Sequence, residues 1–216
     1  MQTVVISKKT RKIVRKLFSK RYKSYSQNYY RDRSFYMYNN IESLCNLFVV
    51  DKEEIETSKP ILLNTNLSFG SKQNQIKKHL GTPSCYIKKT VNSLEFNIMF
   101  YKIYMGGFKT KQEVHLYKNE LFYFSYVFSY LNAPDKEILQ KLLCKKYLGN
   151  ECELNDKVIT DKYGNKIFIT ENVDFTINYL TGNKKILEEF VAINESTKRI
   201  RKNLVEKNQD ELLYKL

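Results

Sequence analysis

The sequence has few of the residues that interrupt a chain, and it has no tryptophan. Its 216 residues include only seven glycines and three prolines. Long structureless loops and low-complexity linkers are therefore not expected. No stretch approaches the run of about 18 apolar residues that a membrane-spanning helix needs. The length and composition are those of a globular protein with one large or two small domains.

Cysteine and histidine, which form most metal and disulfide sites, are also scarce. The four cysteines are Cys45, Cys85, Cys144 and Cys152. They form no C-x-x-C pair, and no secretory signal precedes them, so we expect reduced thiols and a cytoplasmic location. The only histidines, His79 and His115, have no metal-ligand spacing to the cysteines. The sequence thus predicts no metal, no cofactor and no catalytic residue, and it nominates no reaction.

Positive charge is abundant but unevenly distributed. The formal net charge is +14, and residues 1–40 hold eleven Lys and Arg against one acid. That segment alone contributes +10, and the remaining 176 residues contribute only +4. Tyrosine is frequent as well, with 17 in the chain. We therefore read residues 1–60 as a basic, Tyr-rich helical leader followed by a charged connector at 51–60.

The leader has the residue types of a surface that contacts anions. Residues 8–21 predict a basic helix with a narrow apolar stripe. Basic side chains neutralise phosphates, and tyrosine rings stack on unpaired bases. The same residues also suit an anionic membrane surface, and the stripe equally suits docking on the body of the protein. The candidate contacts are Arg11, Lys12, Arg15, Lys16, Lys20, Arg21, Tyr25 and Tyr29.

Two glycines bracket a short helix in the segment GSKQNQIKKHLGTP, residues 70–83. Gly81 precedes Thr82-Pro83, which is a typical helix stop, because glycine tolerates a left-handed conformation and proline cannot continue the helix. A phosphate-binding loop would instead place its glycines before the helix and a Lys-Ser/Thr pair after them. The glycines therefore begin and end a helix.

Antiparallel strands are predicted after this helix. Residues 94–102 alternate, with Leu94, Phe96, Ile98 and Phe100 on one side. Residues 111–128 indicate a hairpin that turns at Lys118-Asn119-Glu120. If the helices leave one sheet face open, an aromatic surface for a protein partner results. Its candidate residues are Tyr101, Tyr117, Tyr123 and Tyr126.

The second half repeats this order. A helix is predicted over 135–149, with Asp135 as N-cap and Gly149 after its end. A hairpin around Tyr163-Gly164-Asn165, a strand over 173–180 and an amphipathic helix over 184–207 follow. Both halves carry similar helix ends, Lys-Lys-His-Leu-Gly at 77–81 and Lys-Lys-Tyr-Leu-Gly at 145–149. We therefore divide the body into two units, 61–133 and 134–216.

The spacing Gly70-x5-Ile76-x3-Leu80-Gly81-x-Pro83 resembles the helix motif of the BamE-like and β-lactamase-inhibitor-protein-like fold. The resemblance covers about residues 67–131, with a degenerate second copy at 135–181. Members place a helical part before a three- or four-stranded antiparallel sheet, and the inhibitor proteins carry two such units. The resemblance implies a scaffold that binds other proteins.

These patterns predict an α+β protein, with one or more antiparallel sheets and helices packed on one face. The function they favour is binding of a macromolecule, chiefly a protein, through the aromatic sheet face and the terminal helices. Nucleic-acid binding through the leader is the alternative, and an anionic membrane surface is a further candidate partner. An enzyme of unknown reaction is the third reading. No transmembrane segment is expected.

Overall fold

The structure is a computed structural model of the chain. It describes residues 29–35, 38, 41–46, 50, 52–91, 94–149, 154, 156–171 and 173–215. The predicted helix at 8–21 lies outside these residues.

One eight-stranded sheet forms the centre of the described structure. Its strands are β1 (Glu53–Thr57), β2 (Cys85–Val91), β3 (Leu94–Met105), β4 (Phe108–Tyr117), β5 (Glu120–Phe128), β6 (Lys157–Asp161), β7 (Lys166–Glu171) and β8 (Phe175–Leu180). They lie in the order β1-β6-β7-β8-β5-β4-β3-β2. Every neighbouring pair is antiparallel except β1 and β6, which are parallel.

Five helices are described, and they confirm the α+β class. They are α1 (residues 29–35), α2 (Ile41–Asn46), α3 (Gln73–Leu80), α4 (Ala133–Leu148) and α5 (Lys184–Lys215). Residues 41–50 are an apolar stretch that suits either a helix or a strand by sequence alone, and residues 41–46 of it form α2. The C-terminal helix also continues eight residues beyond the predicted end at 207.

Helices cover both faces of the sheet, not one face as expected. On the first face, Ile76 of α3 and Tyr147 of α4 pack with strand residues such as Met99. On the second face, Tyr30 of α1 and Phe190 of α5 pack with the opposite sides of the strands. The helices of the two predicted units thus share one face, and the terminal helices occupy the other. Two covering layers are needed because the central strands are apolar on both sides.

The two predicted units meet within the single sheet. In each unit a helix precedes a run of antiparallel strands, and the last strands, β5 and β8, pair with each other at the centre. The element order therefore agrees with the repeat suggested by the sequence. The duplication itself stays a prediction.

The charged segment 51–60 is not the connector expected from the sequence. Its residues 53–57 form the edge strand β1, paired in parallel with β6. Glu53 lies 3.5 Å from Lys157, and Glu54 lies 2.6 Å from Lys166. Charges at a sheet edge keep other chains from adding to it. The high charge of this segment therefore marks an edge strand.

The predicted turns and helix ends are confirmed at most positions. Lys118 and Asn119 have φ of 49° and 66° and form a two-residue hairpin turn. Gly81 follows α3 with φ of 78°, and its N–H donates to Lys77 O at 2.9 Å. One helix cap differs. Asn132, three residues before the predicted Asp135, caps α4 by accepting from the Asp135 N–H at 2.8 Å.

The expectation of four reduced thiols is wrong for Cys144. This residue is disulfide-bonded, and its partner lies outside the described residues. Cys45 and Cys85 are free. The disulfide removes one reason for expecting a reducing compartment, and the cytoplasmic location stays a prediction.

Thiol counting tests this disulfide directly. We expect iodoacetamide to modify two of the four cysteines of the denatured chain when no reductant is present. All four should react after reduction, and mass spectrometry distinguishes the two counts. Four modified cysteines without reductant would show that Cys144 is a free thiol.

Candidate functional site

Three of the four tyrosines proposed as a protein-binding face are buried, and Tyr126 is partly buried. Tyr101, Tyr117 and Tyr123 are only 2–4% exposed. Tyr126 packs against the core of the first face together with Tyr101, whereas Tyr117 and Tyr123 belong to the second face. The four side chains therefore share no common surface. Sequence alternation placed them on strands but did not show that both faces would be covered.

The leader residues proposed as anion contacts lie outside the described residues, apart from Tyr29. The Tyr29 hydroxyl accepts a hydrogen bond from Lys111 Nζ at 2.6 Å. The same ammonium lies 4.1 Å from the centre of the Tyr29 ring. This tyrosine therefore attaches α1 to β4 and is not a free stacking surface.

A buried carboxylate fixes the N-terminal segment to the sheet. Glu113 lies on β4 with its side chain fully buried beneath α1. Its Oε1 accepts a hydrogen bond from Arg33 Nε, and its Oε2 accepts one from the Tyr38 hydroxyl at 2.6 Å. Arg33 also lies 3.7 Å from Asp174, which precedes β8. Arg33 thus links α1 to acidic residues at two places on the sheet.

The electrostatics of this cluster keep Glu113 ionised. Burial alone would raise the pKa of the Glu113 carboxyl, but its neighbours, among them the charge of Arg33 and the Tyr38 hydroxyl, lower it to about 2. Burial also lowers the pKa of His115, although Glu113 partly opposes this effect. The Tyr38 hydroxyl has a pKa well above its ordinary value, because it is buried beside a carboxylate. Neutral His115 and Tyr38 therefore surround one Arg–Glu ion pair.

The contacts of this cluster attach the N-terminal segment to the sheet. His115 Nε2 lies 3.6 Å from Glu113 Oε2, beyond hydrogen-bond distance. A catalytic serine would share a hydrogen bond with the histidine that acts as its base. Among the described residues, His115 Nε2 and Ser125 Oγ have no hydrogen-bond partner, so they do not form such a pair. Both residues are at most 1% exposed. Glu113 is not among the site residues predicted from the sequence, because β4 is of mixed polarity and an acid within it does not stand out.

An open cleft of about 530 Å³ lies where the two units meet. Its walls come from residues 60–62 and 68–70, the start of β5, the β6–β7 turn and the β8–α5 junction. Asp161 holds these walls together by accepting from the N–H groups of Ile61, Tyr163 and Asn165 at 2.9–3.0 Å. The Gly182 N–H donates to Asn165 Oδ1 at 2.8 Å. The side chains of Asp161 and Asn165 therefore form hydrogen bonds that connect the walls of the cleft to one another.

A run of exposed apolar side chains lies on α5. The first part of this helix is anchored, because Glu189 accepts from the Tyr117 hydroxyl at 2.6 Å and Phe190 is fully buried. Lys198 lies 3.1 Å from Glu42 of α2. From residue 198 to 215 every described side chain is exposed. We call residues 198–215 the α5 tail; its apolar residues, 54–92% exposed, are Ile200, Leu204, Val205, Leu212, Leu213 and Tyr214.

The sequence contains a signal for the first part of the tail. Ile200 and Leu204 continue the three- and four-residue spacing of Phe190, Ile193 and Thr197. An apolar stripe of this kind predicts a helix whose apolar side is buried along its whole length. In the structure the sheet buries only the first part of α5, and the described side chains of residues 198–215 are exposed.

Potential metal ligands do not cluster in the described part of the chain. Within those ranges, no group of three or more His, Cys, Asp or Glu residues could hold a metal ion. In the same ranges, no helix has both the length and the apolar character to cross a membrane.

No family model, curated protein or solved structure matches this chain. The resemblance to the BamE-like fold therefore stays a prediction from the motif at residues 70–83.

The Glu113 cluster predicts how stability depends on pH. The folded-state pKa of Glu113 lies below its unfolded value of 4.5, so its contribution is complete above pH 4.5 and is lost as pH falls towards 2. The lowered pKa of His115 acts in the same direction, because the unfolded state gains a proton first as pH falls below 6.5. We expect the free energy of unfolding to decrease with acidification, by about 3 kcal/mol from Glu113 alone.

Denaturant unfolding of the Glu113→Gln variant measures this contribution. Removing the carboxylate leaves Arg33 without its buried partner, so stability at pH 7 should fall by about 3–5 kcal/mol. Between pH 4.5 and 2 the free energy of unfolding of the variant should also depend less steeply on pH, because the contribution of Glu113 is absent. The matched control is Glu120→Gln, which removes an exposed carboxylate paired with Lys72 and should cost about 1 kcal/mol or less. Equal losses in both variants would contradict a special role for Glu113.

Proposed function

We propose that this protein binds another protein through the α5 tail. The observation that carries the proposal is the exposure of every described side chain in a helical segment of 18 residues, about 27 Å long at 1.5 Å per residue. A helix of this length is marginal in water without tertiary contacts. Exposed contiguous apolar surface commonly marks an interaction site. A partner that covers Ile200, Leu204 and Leu212 supplies the missing contacts.

The sequence suggested two binding surfaces, an aromatic sheet face and the terminal helices. Helices pack on both faces of the sheet, which favours a terminal helix for this proposal. The implied protein-binding role of BamE-like scaffolds supports the same class of function. A helix with one apolar side typically binds in a groove or beside another helix.

Site-specific photo-crosslinking tests this function. A photoreactive residue at position 204, on the apolar side, should give adducts of defined mass in extracts of the source cells. The matched control is the same residue at position 202, which lies about 200° around the helix and is also exposed. The adducts from position 204 should disappear when Ile200→Lys is added, because a charge cannot enter an apolar contact. Equal labelling from 202 and 204, or none from either, would overturn the proposal.

Nucleic-acid binding remains the second candidate, supported by the +10 charge of residues 1–40. Anionic membranes suit the same charge and can be tested with anionic vesicles in the same assay. Removal of all 40 residues would also remove Arg33 and Tyr38, which hold Glu113. The variant to use is therefore a substitution to Gln at Arg11, Lys12, Arg15 and Lys16, which leaves α1 intact.

We expect a nucleic-acid complex of the full chain to weaken steeply between roughly 50 and 300 mM salt, and the four substitutions to reduce that slope by several units. The control carries four exposed lysines of the body changed to Gln. These are Lys78, Lys88, Lys145 and Lys184. If the leader and body variants weaken binding equally, the leader is not the nucleic-acid contact.

A further inference from the structure

We propose that the protein bound by the α5 tail is a second copy of this chain, paired as an antiparallel helix. This inference rests on the proposed function and names its partner. It depends on three properties of the tail: its apolar side, the order of its charges and its position outside the body.

The apolar side is long enough to form a helix seam. Ile200, Leu204 and Leu212 lie at offsets 0, 4 and 12, on one side of a helix with 3.6 residues per turn. These side chains are 54–60% exposed. When two such helices run in opposite directions, Ile200 of each copy can pack on Leu212 of the other. The seam is then closed by the same residues twice, as a two-fold dimer requires.

The order of charges in the sequence selects the antiparallel direction. Arg201 follows Ile200, and Glu211 precedes Leu212. In the register that pairs Ile200 with Leu212, position 201 of one copy therefore faces position 211 of the other, and positions of opposite charge meet twice. A parallel pair would place position 201 beside 201 and position 211 beside 211. Like charges in contact across an interface are costly, so the tail complements itself in one direction only.

The position of the tail also permits this pairing. The tail extends about 27 Å beyond the last residues that pack on the body. Two antiparallel tails place the two bodies at opposite ends of the pair, where they do not collide. The basic leader of the same chain is a poorer occupant, because it would meet four basic residues of the tail. These are Lys198, Arg199, Arg201 and Lys202.

The short seam predicts a dimer that depends on concentration. We expect the molar mass of the full chain, measured by light scattering or sedimentation equilibrium from about 1 to 500 µM, to rise from 25.8 kDa towards twice that value. Leu204→Lys should keep the chain monomeric. Its matched control, Lys202→Leu, changes the opposite side of the helix and should not weaken dimerisation.

Charge reversal distinguishes a second copy from any other partner. Arg201→Glu and Glu211→Arg, each alone, place like charges together, and each should raise the dissociation constant by roughly tenfold or more. The double variant restores opposite charges and should return to within about threefold of the unmodified chain. Circular dichroism serves to show that the body of every variant remains folded.

Three results would overturn the inference. These are a monomer at 500 µM, a double variant no better than the single ones, and a dimer that persists in Leu204→Lys. Crosslinks from position 204 to a different protein, combined with a monomeric chain, would reject the second copy and retain the proposed function. If position 204 forms no crosslink at all and the chain is monomeric, both proposals fail.

Discussion

The fold depends on covering a sheet that is apolar on both faces. β5 lies between β8 and β4, and its residues Phe122 and Phe124 are both fully buried, one on each face. Burying one such side chain contributes about 1.5–3 kcal/mol, whereas a whole domain is stable by only about 5–15 kcal/mol. Neither face can therefore remain open to water. Helices α3 and α4 cover one face, so the other face requires the terminal helices.

Glu113 is a fully buried charge within this largely apolar construction. Its partner Arg33 is 80 positions away in the chain, and Tyr38 is 75 positions away. A buried ion pair contributes little net stability, because both charges lose water, but breaking it is costly. The pair therefore acts mainly as a positioning device, since α1 can bury Arg33 only where Glu113 lies. Apolar contacts alone would allow α1 to shift across the sheet.

The C-terminal helix has two environments along one continuous α-helix. Its first part is anchored by Glu189 and Phe190, and it completes the second layer over the sheet. Its tail continues the same apolar stripe into solvent, because the sheet ends before the helix does. One element thus stabilises the fold and carries the surface that we propose for a partner. The beginning of the tail lies beside α2, where Lys198 pairs with Glu42 at 3.1 Å.

Local patterns in the sequence were sufficient for the elements that depend on nearby residues. The alternation of residues 94–102, the turn at Lys118-Asn119 and the helix end at Gly81 are each set by side-chain periodicity or backbone sterics within a few positions. The apolar stripe of the C-terminal helix is also a local pattern. Following it to Ile200 and Leu204 would have indicated the first part of the tail. The basic character of residues 1–40 is likewise a property of the sequence alone.

Only the tertiary structure decided which segments meet. The parallel pairing of β1 with β6 and the joining of β5 to β8 connect residues about 50 to 100 positions apart, and no local period encodes such a pairing. The same holds for Glu113 and Arg33. It holds for the four tyrosines too, since alternation assigns a side chain to one side of a strand but not to an open or covered face. Burial is a property of what packs above the strand. That layer is formed by α3 and α4 on the first face and by the terminal helices on the second.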